Sequence, residues 1–204
     1  MSDRPSGGGG HRVAAVVLAA GEATRFGSLK QLASLGGRSL LEHVIGRAAE
    51  AGLSPVVAVV PPRLSLPAAP GVELVRVPNP KPKLGMSHSL RLGLAAVPAA
   101  ADAAVILLGD QPTVPLATIT AVLGARGSRP LVAASAGGRL APPVLVERSH
   151  FHLADATAGD VGLRQILAAR RDEVTTVEVG AHVADVDTPA DLAALAEDAA
   201  AAHE

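Results

Sequence analysis

The stretch Val13-Ala14-Ala15-Val16-Val17-Leu18-Ala19-Ala20-Gly21-Glu22-Ala23-Thr24-Arg25-Phe26-Gly27-Ser28-Leu29-Lys30 opens with an unbroken apolar run and ends in a glycine-rich, cationic loop. Six apolar residues rich in valine, with no polar alternation, read as a strand buried on both faces. Gly21 and Gly27 relax the backbone that follows, and Arg25 and Lys30 add positive charge. Backbone N–H groups can approach phosphate oxygens where no side chain intervenes, and the cations neutralise the remaining charge. A polyphosphate cradle and an ordinary surface turn with two charges both fit this local pattern. A dinucleotide fingerprint needs G-x-G-x-x-G, which the loop lacks, and a Walker loop needs Gly-Lys-Ser/Thr, whereas Ser28-Leu29 separates Gly27 from Lys30.

Outward from this stretch, short apolar runs alternate with amphipathic ones. Strands are expected at Val56–Val60, Val72–Val77, Ala103–Leu108 and Leu131–Ala134, with weaker ones at Pro143–Val146 and Val174–Val179. Helices are expected over Ser39–Ala51, Ser87–Val97, Pro115 to about Ala125, Gly162–Arg171 and Pro189–Ala202. This alternation predicts a three-layer, Rossmann-like α/β fold with a mostly parallel sheet and ligands at the carboxyl ends of its strands. Residues 1–11, with their glycine run, read as a disordered tail without the apolar core of a secretory signal, and 12–204 as a single domain.

Composition excludes several classes. The 204 residues are 49% hydrophobic and 18% charged, enough apolar material for a core. A net charge of -1 offers no electrostatic case for nucleic acid or an anionic membrane. The absence of cysteine removes disulfides, thiolate nucleophiles and cysteine-ligated metal. Aromatic residues are 1% with no Trp or Tyr, which removes base-stacking platforms. No apolar run approaches the ~18 residues of a membrane span, so a cytoplasmic location is expected. Lys30, Lys81 and Lys83 are the only lysines among 18 basic residues, which makes a lysine in the loop less easily incidental.

Two aspartates follow apolar segments where ligands are expected. Asp110 stands after Ala103–Leu108, between Gly109 and Gln111-Pro112, as a metal ligand or a capped turn residue. Asp187 follows His182–Val186 and precedes a helix opening at Pro189; it is a metal ligand or an N-cap, and Thr188 is an equal candidate for the cap. Asp185 lies two residues earlier in the same segment. His150-Phe151-His152 is too closely spaced to build a metal site alone and reads as surface or partly buried histidine. Arg170-Arg171-Asp172-Glu173 reads as a solvated helix end, and Gly159–Arg164 as an acceptor loop or a helix start capped by Asp160.

Leu18–Lys30 resembles the L-A-A-G-x-x-x-R-x-G-x-x-K signature of the MobA-like nucleotidyltransferases, and within them is most similar to the molybdenum cofactor cytidylyltransferases. Gly85-Met86-Ser87-His88-Ser89-Leu90, Leu108–Pro112, Gly159–Arg164 and Asp185–Pro189 resemble further motifs of that family, in the same order. The resemblance implies a nucleotidyltransferase that moves NMP from a nucleoside triphosphate, CTP first, to a phosphorylated acceptor such as molybdopterin, with a molybdoenzyme as partner. GTP with another acceptor, and a dinucleotide-dependent oxidoreductase on a related fold, are the alternatives. It implies Lys30, Arg25 and Asp110 as catalytic residues, and Mg²⁺ held by Asp110 and Asp187, with Asp185 in place of Asp187 if the motif aligns two residues earlier. Nucleotide binding falls to Leu18, Ala19, Ala20, Gly21, Arg25, Gly27, Lys30, Asn79, Gly85, Ser87, Ser89 and Asp110. Ala20 matches the form that accompanies cytidine in the family. The chain departs from the family at Ala141-Pro142-Pro143, where relatives carry G-H-P, at His88, where a small hydroxyl residue is commoner, and at Glu22.

Overall fold

Strand β1 (Val13–Leu18) is an interior strand of a seven-stranded sheet in a computed structural model that describes residues 12–21, 26, 29–181 and 183–201. The calls on the 1–11 tail, Arg25 and Gly27 fall outside the described residues. After β1 come a small antiparallel hairpin, β2 (Ser34–Leu35) and β3 (Arg38–Ser39), and helix α1 (Leu40–Glu50). Then follow β4 (Val56–Val60), β5 (Leu74–Pro78), α2 (Met86–Ala95), β6 (Ala103–Leu108) and α3 (Leu116–Gly124). The remainder is β7 (Leu131–Ala136), β8 (Arg139–Glu147), α4 (Gly162–Ala169), β9 (Val174–Glu178) and α5 (Pro189–Ala201).

The sheet order is β5-β4-β1-β6-β8-β7-β9, and β8 alone runs against its neighbours. The chain leaves β1 toward β4 and β5 on one side, then returns to place β6 on the other. Such a reversal leaves a crevice beyond the carboxyl ends of the two central strands. Ala14, Val16 and Leu18 face one core with α2 and α4; Ala15 and Val17 face the other with α1 and α3. Burial on both faces is why β1, β4 and β6 are continuous apolar runs rather than alternating ones. Helix α1 begins at a capping box: Glu42 N–H donates to Ser39 Oγ at 3.2 Å, and Ser39 N–H to a Glu42 carboxylate oxygen at 2.6 Å. Such a cap contributes about 1 kcal/mol.

Several expectations need correction. The third strand begins at Leu74, not Val72, and ends on Pro78. The weak strand expected at Pro143–Val146 is the nine-residue β8, whose first half lies beyond the partner β6 and pairs only with β7. Helix α4 stops at Ala169, and Arg171–Glu173 forms a separate 3-10 turn tied by an Arg170–Glu173 ion pair at 2.7 Å. The Arg148–Ala156 3-10 helix and the β2–β3 hairpin went unread, because neither carries an extended hydrophobic period. Leu192 and Leu195 of α5 pack on a small satellite cluster of Leu35, Leu40 and Val186. No helix among the described residues is long and apolar enough to cross a membrane.

Candidate active site

At the carboxyl ends of β1 and β6 lies a cleft of about 480 Å³. One wall is Leu18, Ala19, Ala20 and Gly21 leaving β1; opposite are Leu108, Gly109 and Asp110 leaving β6. Pro82, Lys83, Gly85, Met86 and Ser89 line it from the start of α2, Asp160 from the segment before α4, and Lys30 and Gln31 from the turn after the glycine-rich loop. The two strand-end loops pass unusually close. A Cβ on Gly109 would stand 2.6 Å from Ala19 Cβ, so glycine there and alanine opposite are both dictated by contact. Gly109 N–H donates to Leu18 O at 2.9 Å and closes this floor.

Lys30 is the centre of charge. Its ammonium donates to Asp110 Oδ2 at 2.8 Å and to Asp187 Oδ1 at 2.9 Å, bridging carboxylates 77 positions apart in the chain. Burial on its own would depress the ammonium's pKa, but the two aspartates together outweigh burial and leave it above its ordinary value. Asp187 reaches this point because residues 183–187 run beside the turn after β6. Val186 N–H donates to Asp110 O at 2.9 Å, and the Gln111 amide donates to Val183 O at 3.3 Å and Asp185 Oδ1 at 2.9 Å. Thr188 takes the helix cap: it accepts from Asp191 N–H at 3.2 Å, while Asp191 Oδ2 accepts from Thr188 N–H at 2.7 Å. Asp187 is therefore not spent on capping α5. Asp185 faces Gln111 instead of Lys30; burial, and next the Asp110 charge, push its carboxyl above the usual range.

The start of α2 forms the opposite shore. Gly85 has φ +83, and a Cβ there would lie 2.4 Å from the Gly159 carbonyl carbon, so this helix start and the 159–160 turn are in direct contact. Asp160 Oδ1 accepts from Met86 N–H at 3.2 Å. Its carboxylate meets the positive end of α2. Ser89 lines the cleft, whereas Asn79 and Ser87 are wholly buried and do not. Asn79 works behind the wall, donating to Ser89 Oγ at 3.0 Å and accepting from Lys81 N–H at 2.8 Å.

Sequence reasoning missed Gln31, Pro82, Lys83, Met86, Leu108, Gly109 and Asp160 as lining residues. Lys83 carried a signal as one of only three lysines, and Asp160 lay in a quoted motif. Gln31 carried none; its amide donates to Gly21 O at 3.2 Å and its Oε1 is buried without a partner. His150 and His152 stack as a tilted pair 5.8 Å apart, far from a ligand cluster, and no group of three or more metal-ligating side chains occurs among the described residues.

The profile of the MobA-like NTP transferase domain matches residues 15–174. The chain belongs to that family. The matched span of this NTP transferase domain runs from β1 to the first residue of β9, so it contains Lys30 and Asp110 but ends before Asp187. A bifunctional GlmU protein of Anaeromyxobacter sp. (strain Fw109-5) is 36% identical over 142 residues, which are 64% of this chain and 28% of that protein's length. The domain therefore spans roughly a quarter of the curated relative it matches. Among solved structures, Rv0371c from Mycobacterium tuberculosis H37Rv superposes with a TM-score of 0.79 at 27% identity, covering 92% of this chain and 99% of that one. A second Rv0371c structure, from the same organism and in complex with manganese, superposes with a TM-score of 0.74 at 26% identity, covering 92% and 98%.

Proposed function

We propose that the chain is a divalent-metal-dependent nucleotidylyltransferase: a phosphate oxygen of the acceptor attacks the α-phosphorus of a nucleoside triphosphate, the α–β bridging bond breaks, and pyrophosphate leaves. The observation that carries this reading is Lys30 held between Asp110 and Asp187 at the mouth of a cleft walled by the first strand's loop. Charge accounting supports a metal. Lys30 and Lys83 face Asp110, Asp160 and Asp187 there, a described set too negative to receive a triphosphate unaided. The donor set fits a hard cation, since two carboxylate oxygens converge on one positive centre and Mg²⁺ is commonly held by one or two carboxylates plus substrate phosphates. Bound there by Asp110 and Asp187, Mg²⁺ would supply Lewis-acid neutralisation of the phosphate oxygens.

The chain's own residues do the rest by positioning and charge. Ala19, Ala20 and Gly21 keep side-chain bulk away from the backbone facing the ligand. Lys30, released from the aspartates, is in reach of the phosphates, with Arg25 as the second cation of the loop. Ser89, held by Asn79, offers a hydroxyl on the α2 side. The acceptor is itself an anion, so no general base is invoked. CTP is the first candidate because Ala20 stands in the form that accompanies cytidine, and a molybdopterin-type phosphate is the first candidate acceptor, with a molybdoenzyme as recipient. The reaction with GTP, or with another phosphorylated acceptor, is the alternative.

Calorimetric titration with CTP, GTP, ATP and NAD, each with Mg²⁺ and again with EDTA, tests the reading. The expected result is metal-dependent binding of one triphosphate, lost in Lys30→Ala and in Asp110→Asn. Metal-indifferent binding of NAD alone would overturn it.

A further inference from the structure

A second, smaller cavity of about 190 Å³ lies at the same sheet edge, lined by Arg139, Leu140, Arg164, Leu167, Ala168 and Arg171. Because β8 runs against β6, its first residue, Arg139, lies past the carboxyl end of β6, the end from which Asp110 emerges. The cavity is also on the α2–α4 face, since Leu140 and Leu167 belong to the same core as Leu90. Asp160 lines the first cleft and Arg164, four residues on, lines the second cavity, so one segment joins them.

Arg164 and Arg171 stand out from the other described arginines. Arg126 forks onto Glu147 at 2.6 and 2.8 Å; Arg12, Arg47 and Arg170 pair with glutamates. Arg38, Arg76, Arg91, Arg129 and Arg148 donate to backbone carbonyls. Among the described arginines, only Arg63, Arg164 and Arg171 make neither kind of contact, and two of these three line this cavity with Arg139. A guanidinium fork suits a phosphate or carboxylate, and Arg139, Arg164 and Arg171 line this cavity beside Leu140, Leu167 and Ala168. No carboxylate is among the residues that line the cavity.

We propose that Arg139, Arg164 and Arg171 form an oxyanion subsite distinct from the nucleotide cleft, taking a phosphate monoester or carboxylate. Its placement beside the cleft suits an anionic group borne by the acceptor at a distance from its reacting phosphate. Only that choice of carrier rests on the transferase reading; a free phosphate is the other source of the same chemistry.

The test is equilibrium dialysis of the full chain against radiolabelled orthophosphate and, separately, glycerol 3-phosphate. Wild type, Arg164→Gln/Arg171→Gln, Lys30→Ala and Arg63→Gln are compared, with circular dichroism to establish that each is folded. The double variant should bind orthophosphate at least tenfold more weakly, while Arg63→Gln binds as wild type does. Binding of both probes marks an esterified anion on a larger molecule; binding of orthophosphate alone marks the free ion. Binding lost in Lys30→Ala but kept in the double variant would overturn the proposal, since the anion then sits in the nucleotide cleft. Equal weakening by Arg63→Gln, or no binding to wild type at 20-fold molar excess over millimolar protein, would overturn it too. CTP binding measured on the same samples keeps the two readings apart: its failure sinks the transferase and leaves the oxyanion result standing.

Discussion

In the proposed reaction Lys30 is the central residue, and its two aspartate contacts make it a competitor for any cation that needs the same oxygens. Lys30→Met keeps the aliphatic stem and removes the charge, freeing Asp110 and Asp187. In the absence of nucleotide this variant is expected to bind Mn²⁺ several-fold more tightly than wild type, read by the paramagnetic resonance signal of free Mn²⁺. Unchanged or weaker affinity would show that these carboxylates do not share one cation position. Asp185 gives a pH-dependent prediction. Its folded pKa is raised, so the folded state holds the proton more tightly than the unfolded one. Stability from this group is therefore lost as pH rises from the ordinary carboxylate value, about 3.9, through the raised folded one. Asp185→Asn, which can still accept from Gln111, should flatten that part of the pH–stability curve. The gain at pH 7 should stay below about 0.5 kcal/mol, because Asp185 is exposed enough for water to screen it. A curve that keeps its slope in urea denaturation would remove Asp185 as its source.

The site is assembled from element ends, and the close passages between them carry the strain of substitution. Gly109→Ala would drive a methyl group into Ala19, 2.6 Å away, and separate the ends of β1 and β6. A loss of about 1–3 kcal/mol is expected in chemical denaturation, together with weaker nucleotide binding, since the same two loops wall the cleft. A variant as stable as wild type would mean that these loops yield freely. The β1, β4 and β6 strands were legible because burial on both faces leaves an uninterrupted apolar signature. The β2–β3 hairpin was not, since strands of two residues have no period to read. The extent of β8 was also hidden. Its first half carries Arg139 and adjacent prolines, and is held in the sheet by β7 rather than by local propensity.

Across the whole molecule, the cleft draws on the topology, since both halves of the sheet contribute walls to it. A ligand that binds only the folded state adds about 2.7 kcal/mol at 100 times its Kd. For a chain of this size that is a rise of roughly 5–10 °C in the thermal midpoint. CTP with Mn²⁺ should produce such a rise, and CTP with EDTA should not. A midpoint that moves equally in both conditions would argue against the metal. The sequence by itself determined the order of the longer strands and helices and the glycine-rich loop, and it marked Lys30, Asp110 and Asp187 as candidates, because hydrophobic period and local charge are written in neighbouring positions. Only the tertiary structure decided that Lys30 lies between the two aspartates, that Asn79 and Ser87 stand behind the wall, that Asp160 caps α2, and that Arg139, Arg164 and Arg171 share a cavity. Those relations join residues tens of positions apart. They arise from sheet order and helix packing, which no local pattern contains.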